Sequence, residues 1–376
     1  MLHARCGFTT LLLVGFAANG TSRSAADQPS GRAHRSPSPS LETKVLFAAG
    51  KNGYKCYRIP AMVPTTNGTM LAFCEARKNN CSDSGDIDLV MKRSADGGQT
   101  WSDAAIIADD GNHTMGNPCP IVDASDGTIW LPFCRDNKTI LVTKSTDDGR
   151  TWSPPLDITD HAKDPAWHWV GTGPGHGIQL RTGRLVVPSW ADATSRLGEI
   201  QFSYLFYTDD HGRTWTRGEA LDRNASDECE VVELADATLY MSMRSRQGKK
   251  QRAYATSKDG GHTWSRVKYD PRLPEPSCQG SIVRLTNKRN ASKNRVLLAS
   301  PANPNARSHM TVRLSYDECR TWPVSKILYE GSSAYCDLAV TPHHQILLLY
   351  EADDYTKIIL ARFNLQWLSD GQDRLP

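Results

Sequence analysis

One eight-residue pattern recurs five times along this chain, and its spacing limits the folds that the chain can adopt. The pattern is Ser/Thr-x-Asp-x-Gly-x-Thr-Trp, and its copies begin roughly 50 to 60 residues apart, at Ser94, Ser145, Thr208, Ser257 and Ser315. Each copy follows a short apolar run typical of a strand, and few segments show helical periodicity. Repeats of this length built from short strands are typical of β-propellers. Residues 43–370 hold about six units of this length, so the sequence predicts an all-β, six-bladed β-propeller of four-stranded antiparallel sheets.

The residues of each repeat suit a turn between two strands. An Asp side chain can accept hydrogen bonds from the backbone of its own loop, Gly permits a positive φ, and Trp buries a large ring. A calcium loop is the alternative, but each copy offers only one or two carboxylates and lacks EF-hand spacing. The fifth copy has Cys319 in place of Gly, so that turn must either avoid positive φ or accept strain.

The sixth blade lacks the repeat and is expected to form from the two ends of the domain. Strands near Val45–Ala48 and Ile358–Phe363 would complete it. With 39% hydrophobic and 23% charged residues, the chain of 376 residues can bury a large core, which excludes a disordered chain or a small disulfide scaffold. A net charge of +3 without Lys/Arg-rich runs disfavours nucleic acid as a partner.

The N-terminal residues have the composition of an export signal followed by a linker. His3 and Arg5 precede an apolar stretch, so residues 1–18 are interpreted as a signal peptide, and the Ser-, Pro-, Arg- and Gly-rich residues 19–42 as a low-complexity linker. A buried strand or a signal anchor is the alternative. Residues 43–376 would then form the propeller domain, with no further span of bilayer length. The predicted destination is the secretory pathway, the lysosome, the periplasm or the medium.

The cysteines and the glycosylation sequons also bear on the prediction that the protein is exported. Nine cysteines remain after the signal, an odd number whose pairing the sequence leaves open, and no CxxC pair indicates a zinc site. Seven Asn-x-Ser/Thr sequons hint at glycosylation in a eukaryotic secretory pathway, at Asn19, Asn67, Asn80, Asn112, Asn137, Asn224 and Asn290.

Landmarks between the repeats carry a family resemblance. In order, they are Arg58 in YRIP, Arg77 in FCEARK, Asp83 in NNCSDSGD, Asn117 in NPCPIVD, Glu228 in DECEVVEL, Arg244 in SMRS, Arg307 in NPNARSHM, Tyr335 in SSAYCDL and Glu351 in LLYEADDY. With these motifs, and with repeats that match Asp-boxes, the chain after the linker resembles the sialidases, or neuraminidases. A single Asp-box is unspecific, whereas this ordered set is highly specific.

The resemblance implies a role for each landmark. Arg58, Arg244 and Arg307 match the triad that clamps the substrate carboxylate, for which bidentate guanidinium groups are well suited. Tyr335 matches the nucleophile and Glu228 its base, since a neutral phenol avoids the repulsion that a carboxylate nucleophile would meet at anionic sialic acid. Read structurally instead, Tyr335 is a core aromatic, Glu228 a solvated carboxylate, and each single arginine a surface residue.

The remaining landmarks match supporting positions. Asp83 matches the acid/base that protonates the leaving oxygen. Glu351 matches the carboxylate that braces Arg58, Arg77 lies near the sugar 4-hydroxyl in the family, and Asn117 stands where many bacterial members have Asp. Trp169 and Trp190 either line the N-acetyl or glycerol pocket or pack in the core. A glycan on Asn80 would obstruct the substrate, so we expect that sequon to be unmodified.

The expected function is that of a retaining exo-α-sialidase acting on sialylated glycans, with no metal or organic cofactor. A trans-sialidase would need the same residues and differs in how well an acceptor competes with water. A noncatalytic sialic-acid-binding propeller would be expected to have lost Asp83, Glu228 or Tyr335. A related substrate, such as the deaminated sugar, would differ only at position 5. The oligomeric state is open.

Overall fold

The computed structural model describes residues 38–289 and 291–375. The predicted signal peptide and most of the predicted linker lie outside these residues, as do the sequons at Asn19 and Asn290. The first strand begins at Leu41. In the part of the chain that is described, no helix is long and apolar enough to cross a membrane.

The described chain is almost entirely β-structure, arranged in successive antiparallel sheets. Blade 1 contains β2 (Cys56–Pro64), β3 (Met70–Arg77), β4 (Ile87–Ser94) and β5 (Ala105–Ala108). Blade 2 contains β6 (Met115–Gly116), β7 (Ile121–Val122), β8 (Ile129–Arg135), β9 (Thr139–Ser145) and β10 (Leu156–Asp157). Blade 3 contains β11 (Trp169–Thr172), β12 (Ile178–Gln179), β13 (Leu185–Asp192), β14 (Gln201–Thr208) and β15 (Thr216–Arg217).

The second half of the chain continues the pattern. Blade 4 contains β16 (Ser226–Glu233), β17 (Leu239–Ser245), β18 (Gln251–Ser257) and β19 (Lys268–Pro274). Blade 5 contains β20 (Ser281–Thr286), β21 (Arg295–Pro301), β22 (Ser308–Ser315) and the first part of β23 (Val324–Val340). Blade 6 contains the rest of β23, with β24 (Ile346–Ala352), β25 (Lys357–Phe363) and β1 (Leu41–Ala48). Two short helices are α1 (Thr159–Ala162) and α2 (Leu365–Leu368).

Apolar side chains hold neighbouring blades together. One cluster fills the space between each consecutive pair, as where Leu71 and Phe73 of blade 1 pack with Leu131 and Phe133 of blade 2. A further cluster joins blade 6 to blade 1 through Leu347 and other apolar side chains. Strand β1 pairs with β25, as the sequence predicted for the last blade. The all-β architecture of four- and five-stranded antiparallel sheets is thus confirmed.

The five repeats form the turns that precede the outermost strands of blades 1 to 5. In the first copy, the Asp96 carboxylate accepts hydrogen bonds from the Thr100 amide (2.9 Å) and hydroxyl (2.6 Å), and the Gly98 amide donates to Ser94 Oγ at 2.8 Å. Because the carboxylate is occupied by its own loop, the turn has the structural role that the sequence favoured over a calcium loop.

The fifth repeat keeps this geometry despite its cysteine. Cys319 has φ +66° and donates its amide hydrogen to Ser315 Oγ at 3.0 Å, as the glycines do elsewhere. The turn therefore does not avoid positive φ, and the left-handed conformation of a non-glycine residue costs about 1–3 kcal/mol. The Cys319 side chain is buried beside Trp322 in the cluster between blades 4 and 5, which offsets part of that cost.

Candidate active site

A cavity of about 250 Å³ contains most of the landmark residues, although they come from distant parts of the chain. The landmarks that line it directly are Arg77, Asp83, Asn117, Glu228, Arg244 and Tyr335. The guanidinium carbons of Arg58 and Arg307 lie 5.1 and 5.4 Å from the centre of the Tyr335 ring. Glu351 lies behind Arg58 and is fully buried. The structure thus brings all nine landmarks together.

The Tyr335 hydroxyl is hydrogen-bonded to a carboxylate and an arginine. It donates to Glu228 Oε1, while Arg244 Nη1 lies 3.2 Å from the phenol oxygen and 2.9 Å from Glu228 Oε2. Burial and the Glu228 charge raise the pKa of Tyr335 well above its ordinary value, and Arg244 and Arg307 act in the opposite direction. The phenol is therefore neutral at neutral pH, with an acceptor for its proton already in contact.

Backbone irregularities place three of these side chains. The strand register shifts between Arg58 and Ala61 in β2, between Ser226 and Cys229 in β16, and between Ser333 and Cys336 in β23. Arg58, Glu228 and Tyr335 lie at or within these shifts. A bulge bends its strand and redirects the side chains beside it. The bulges explain how residues of three different blades can converge on one point.

The bulge beside Arg58 places Ile59 in an unusual conformation. Ile59 has φ +58°, which is a genuine outlier for a β-branched residue. Its amide donates to Glu351 Oε1 at 2.9 Å, and its side chain packs beside Tyr335. The buried contacts on both sides hold a conformation that costs about 1–3 kcal/mol.

Glu351 joins the arginine and tyrosine strands through four hydrogen bonds. Its carboxylate accepts Arg58 Nε at 2.8 Å and Arg58 Nη2 at 3.2 Å, together with the amides of Ile59 (2.9 Å) and Tyr335 (3.1 Å). Burial lowers the pKa of Arg58, but the charge and hydrogen bonds of Glu351, together with Tyr335 and Asp83, outweigh it and raise that pKa. Glu351 therefore braces Arg58 and also fixes the backbone of Tyr335.

Tyr355 lies between two of the arginines. Its ring centre is 4.3 Å from the guanidinium carbon of Arg58, and its hydroxyl is 3.2 Å from Arg307 Nη1. Arg307 Nη2 also donates to the Ser277 carbonyl at 3.4 Å. These contacts restrict the rotamers of both guanidinium groups and leave part of their donor capacity available for an anion.

Asp83 lies on the exposed loop between β3 and β4. Its side chain is 74% exposed, and its Oδ1 accepts from Arg77 Nη1 at 2.8 Å and lies 3.5 Å from Arg58 Nη1. Arg77 is itself fixed by Glu75, to which its Nε donates at 2.9 Å. Glu75 also accepts the backbone amide of Asn117 at 2.9 Å. One buried carboxylate therefore positions both Arg77 and Asn117 at the cavity wall.

The opposite wall is aromatic with several polar groups. Trp169 and Trp190 both line the cavity, with ring centres 6.3 Å apart. Among the described residues, neither indole nitrogen has a hydrogen-bond partner, nor does the buried Oε1 of Gln201 on the same wall. Asp227 lies beside Arg244 and Arg246, and burial raises its pKa. This wall combines apolar rings with the charged groups of Asp227, Arg244 and Arg246.

Among the described residues, two clusters of three side chains have the spacing of metal ligands: His176, Glu230 and Asp337, and Asp86, Asp88 and Asp109. In the first cluster, His176 Nδ1 lies 2.7 Å from Asp337, which also accepts the Met62 amide. Glu230 accepts the Ser281 hydroxyl and the Ile282 amide. In the second, Lys78 Nζ lies 2.8 Å from Asp86 and 3.1 Å from Asp88. Protein donors thus occupy the first cluster, and the Lys78 ammonium offsets part of the negative charge of the second.

Sequence reasoning missed several residues of the site. Glu75, Asp227 and Tyr355 each stand within two residues of a recognised landmark or in the same motif. Glu75 alternates with Arg77 along β3, so the two side chains share one face of the strand. This alternation is the sequence signal from which Glu75 could have been predicted as a site residue. Gln201 carries no such signal, because it reaches the cavity only through the packing of blade 3.

Comparisons with known proteins identify the relatives of this chain. Residues 68–348 match the model of the BNR repeat-like domain. The chain is 34% identical to a sialidase of Micromonospora viridifaciens over 86% of its length, but it spans only 54% of that protein. It is 32% identical to an exo-alpha-sialidase of Aspergillus fumigatus, covering 85% of this chain and 86% of that protein.

A solved structure shows the same fold. The Hadza microbial sialidase Hz136 superimposes with a TM-score of 0.79 at 30% identity, covering 85% of this chain and 68% of that one. The domain match covers most of the chain, and the Aspergillus relative matches it over most of both lengths. The chain therefore belongs to the sialidase family.

Proposed function

We propose that this protein is an exo-α-sialidase, which hydrolyses terminal α-ketosidic sialic acids of glycoproteins, glycolipids or oligosaccharides with retention. The observation that carries the proposal is the Tyr335 hydroxyl, which donates to Glu228 with arginine guanidinium groups around the ring. A carboxylate nucleophile would repel the substrate's own carboxylate, whereas this neutral phenol does not.

In the first step, the guanidinium groups of Arg58, Arg244 and Arg307 hold the substrate carboxylate. Tyr335 Oη attacks the anomeric carbon as Glu228 takes the phenol proton, and Asp83 protonates the departing glycosidic oxygen. Because the pKa of Tyr335 is raised, proton transfer has to accompany the attack rather than precede it. Arg244 Nη1, 3.2 Å from the phenol oxygen, stabilises the charge that develops there.

In the second step, a water molecule replaces the tyrosine. Asp83 accepts a proton from the water as its oxygen attacks the anomeric carbon, and Tyr335 leaves and recovers its proton from Glu228. Two displacements at one carbon give net retention. Asp83 serves both steps, and its exposure lets water reach it once the aglycone has left.

The first experiment is stereochemical. The purified protein is incubated with a nitrophenyl α-ketoside of sialic acid, and the released sugar is followed by NMR. We expect the α-anomer to appear before mutarotation. No release would contradict the hydrolase proposal, and an initial β-anomer would contradict retention. Adding lactose as an acceptor tests transfer, since a trans-sialidase would form sialyllactose in preference to free sugar.

The second experiment separates the proposed roles by leaving group. Asp83→Ala should lower kcat/KM on sialyllactose by roughly 100-fold or more, because a sugar alkoxide leaves poorly without a proton, and should largely spare a nitrophenyl ketoside. Tyr335→Phe should impair both substrates. Tyr350→Phe, at a buried core tyrosine of β24, is the matched control and should retain activity. Equal losses on the two substrates for Asp83→Ala would argue against its role as proton donor.

The substrate partners and the location follow from the same proposal. Sialylated glycans are the expected partners, and their exposure on secreted and membrane glycoconjugates fits a protein that is exported. Removing residues 1–18 should keep the protein inside the producing cell, which cell fractionation would detect. Unchanged export would contradict the interpretation of this segment as a signal peptide.

A further inference from the structure

The loop that carries Asp83 is tied to Thr114 at Gly85, by hydrogen bonds of 2.9 and 3.0 Å, but has no apolar packing of its own. Residues 79–85 are all exposed, and none of them belongs to an apolar cluster of the described chain. Glu228 and Tyr335, in contrast, lie on strands and are buried. A loop without apolar packing opens at low free-energy cost unless something else fixes it.

A disulfide bond supplies that constraint two residues before Asp83. Cys81 is bonded to Cys56, the first residue of β2, which is fully buried. The carbonyl of Cys81 also accepts Arg77 Nη1 at 2.6 Å, and the same nitrogen donates to Asp83 Oδ1 at 2.8 Å. Cys81 is thus held at its sulfur and at its carbonyl, with the Asp83 carboxylate directed at the cavity.

The clamp arginines are held by other contacts. Arg58 is fixed by Glu351, Arg244 by Glu228, and Arg307 by Tyr355 and Ser277. Among the described residues, the loop touches these arginines only through the 3.5 Å contact between Arg58 and Asp83. The disulfide joins the loop to Cys56, two residues before Arg58, but this part of β2 is also paired with β3. Loss of the loop position would therefore leave the anion-binding part of the cavity in place.

We propose that the Cys56–Cys81 disulfide is a positioning element for Asp83, so that opening it removes acid/base assistance while the binding of the substrate carboxylate persists. The inference rests on the proposed role of Asp83. It predicts a protein whose activity on natural glycosides depends on the redox state of its surroundings. Activity on substrates with good leaving groups should depend on it much less.

A dithiol such as dithiothreitol can open the bond. The dithiol gives two electrons and two protons, the sulfur–sulfur bond breaks, Cys56 and Cys81 become thiols, and the reagent closes to its cyclic disulfide. Cys81 is exposed, which gives the reagent access. The seven other cysteines of the described chain are buried thiols, so the reagent meets a single disulfide there.

The test compares the oxidised protein, the protein reduced by dithiothreitol, and Cys81→Ser. Opening is verified by alkylation and mass measurement, and folding by thermal unfolding. We expect kcat/KM on sialyllactose to fall about tenfold or more in both altered forms, with less than about threefold loss on a nitrophenyl ketoside. The Kd of a carboxylate inhibitor, 2-deoxy-2,3-didehydro sialic acid, should stay within about twofold. Dithiothreitol should have no further effect on Cys81→Ser.

A matched control is Cys319→Gly, which changes a buried thiol to the residue of the other four repeats. It should respond to dithiothreitol as the parent protein does. Equal losses of kcat/KM on both substrates, or no loss, would overturn the proposal. Weaker binding of the inhibitor would also overturn it, because the disulfide would then support the arginines. If Cys81→Ser does not fold, the reduced parent protein alone decides. If the oxidised protein cleaves neither substrate, the proposed function fails instead.

Discussion

Replacing Glu351 by Gln tests how strongly one buried carboxylate holds the site together. Oε1 accepts Arg58 Nε and the Ile59 amide, and Oε2 accepts Arg58 Nη2 and the Tyr335 amide. A glutamine has almost the same shape but only one acceptor oxygen. Its amide nitrogen would face two donors, and Arg58 would lose its buried counter-charge and keep only the 3.5 Å contact with the exposed Asp83.

The expected cost follows from these contacts. A hydrogen bond to a charged group contributes about 1.5–3 kcal/mol and an ordinary one about 0.5–1.5 kcal/mol, so losing one of each costs about 2–4.5 kcal/mol. Leaving one member of a buried ion pair without its partner gives a similar figure, about 3–5 kcal/mol. We therefore expect Glu351→Gln to lower the free energy of unfolding by about 3–4 kcal/mol.

Urea unfolding followed by tryptophan fluorescence measures this difference. Glu42→Gln is the matched control, because Glu42 pairs with Arg362 at 2.9 Å but is 72% exposed. That change should cost at most about 1 kcal/mol. A Glu351→Gln protein no less stable than Glu42→Gln would refute the reasoning. The variant should also bind a carboxylate inhibitor more weakly, since the rotamer of Arg58 is released.

Three further predictions concern the clamp, the repeats and the buried histidine. Arg307→Lys should raise the Kd of the carboxylate inhibitor by about tenfold or more in a calorimetric titration, because an ammonium cannot form the bidentate contact. Near-normal binding would place Arg307 outside the clamp. Trp215→Ala should lower the free energy of unfolding by about 3–5 kcal/mol, measured by thermal unfolding, since the ring is buried between blades 2 and 3. An unchanged Tm with lost activity would contradict the structural role of the repeat. Burial lowers the pKa of His176, but Asp337 and Glu230 outweigh it and raise that pKa to about 9. The resulting stabilisation is complete below the unfolded-state pKa near 6.5 and is lost as pH rises through about 9. The stability gap between the parent protein and His176→Gln should therefore shrink by about 3 kcal/mol between pH 6 and 10 in urea titrations, and a constant gap would refute it.

Most of the fold could be predicted because its signal is local and repeated. Each repeat closes its turn with hydrogen bonds among its own eight residues, as in Ser94–Trp101, so five short segments mark five of the six blades in order. Even Cys319 does not break the pattern, because the turn tolerates a strained residue when its side chain is buried. The pairing of β1 with β25 followed from the need to complete the last blade.

The site was only partly predictable. The landmarks were recognised as motifs, and the structure brings them together, whereas Asp227 and three further residues, Glu75, Gln201 and Tyr355, were missed. These three support or extend the site through contacts with residues far away in the sequence, such as the bond from Glu75 to the Asn117 amide and the contact of Tyr355 with Arg307. Nothing in a single sequence records such contacts.

By itself, the sequence determined the family, the all-β architecture and the nine landmark residues that the structure brings together. Only the tertiary structure decided how they meet: the bulges beside Arg58 and Tyr335, the four hydrogen bonds of Glu351, and the choice of Cys56 and Cys81 as the bonded pair among nine cysteines. Turn chemistry acts within a few residues and leaves a readable pattern. The alignment of an arginine, a phenol and a carboxylate from separate blades depends on the packing of strands hundreds of residues apart, which no local pattern encodes.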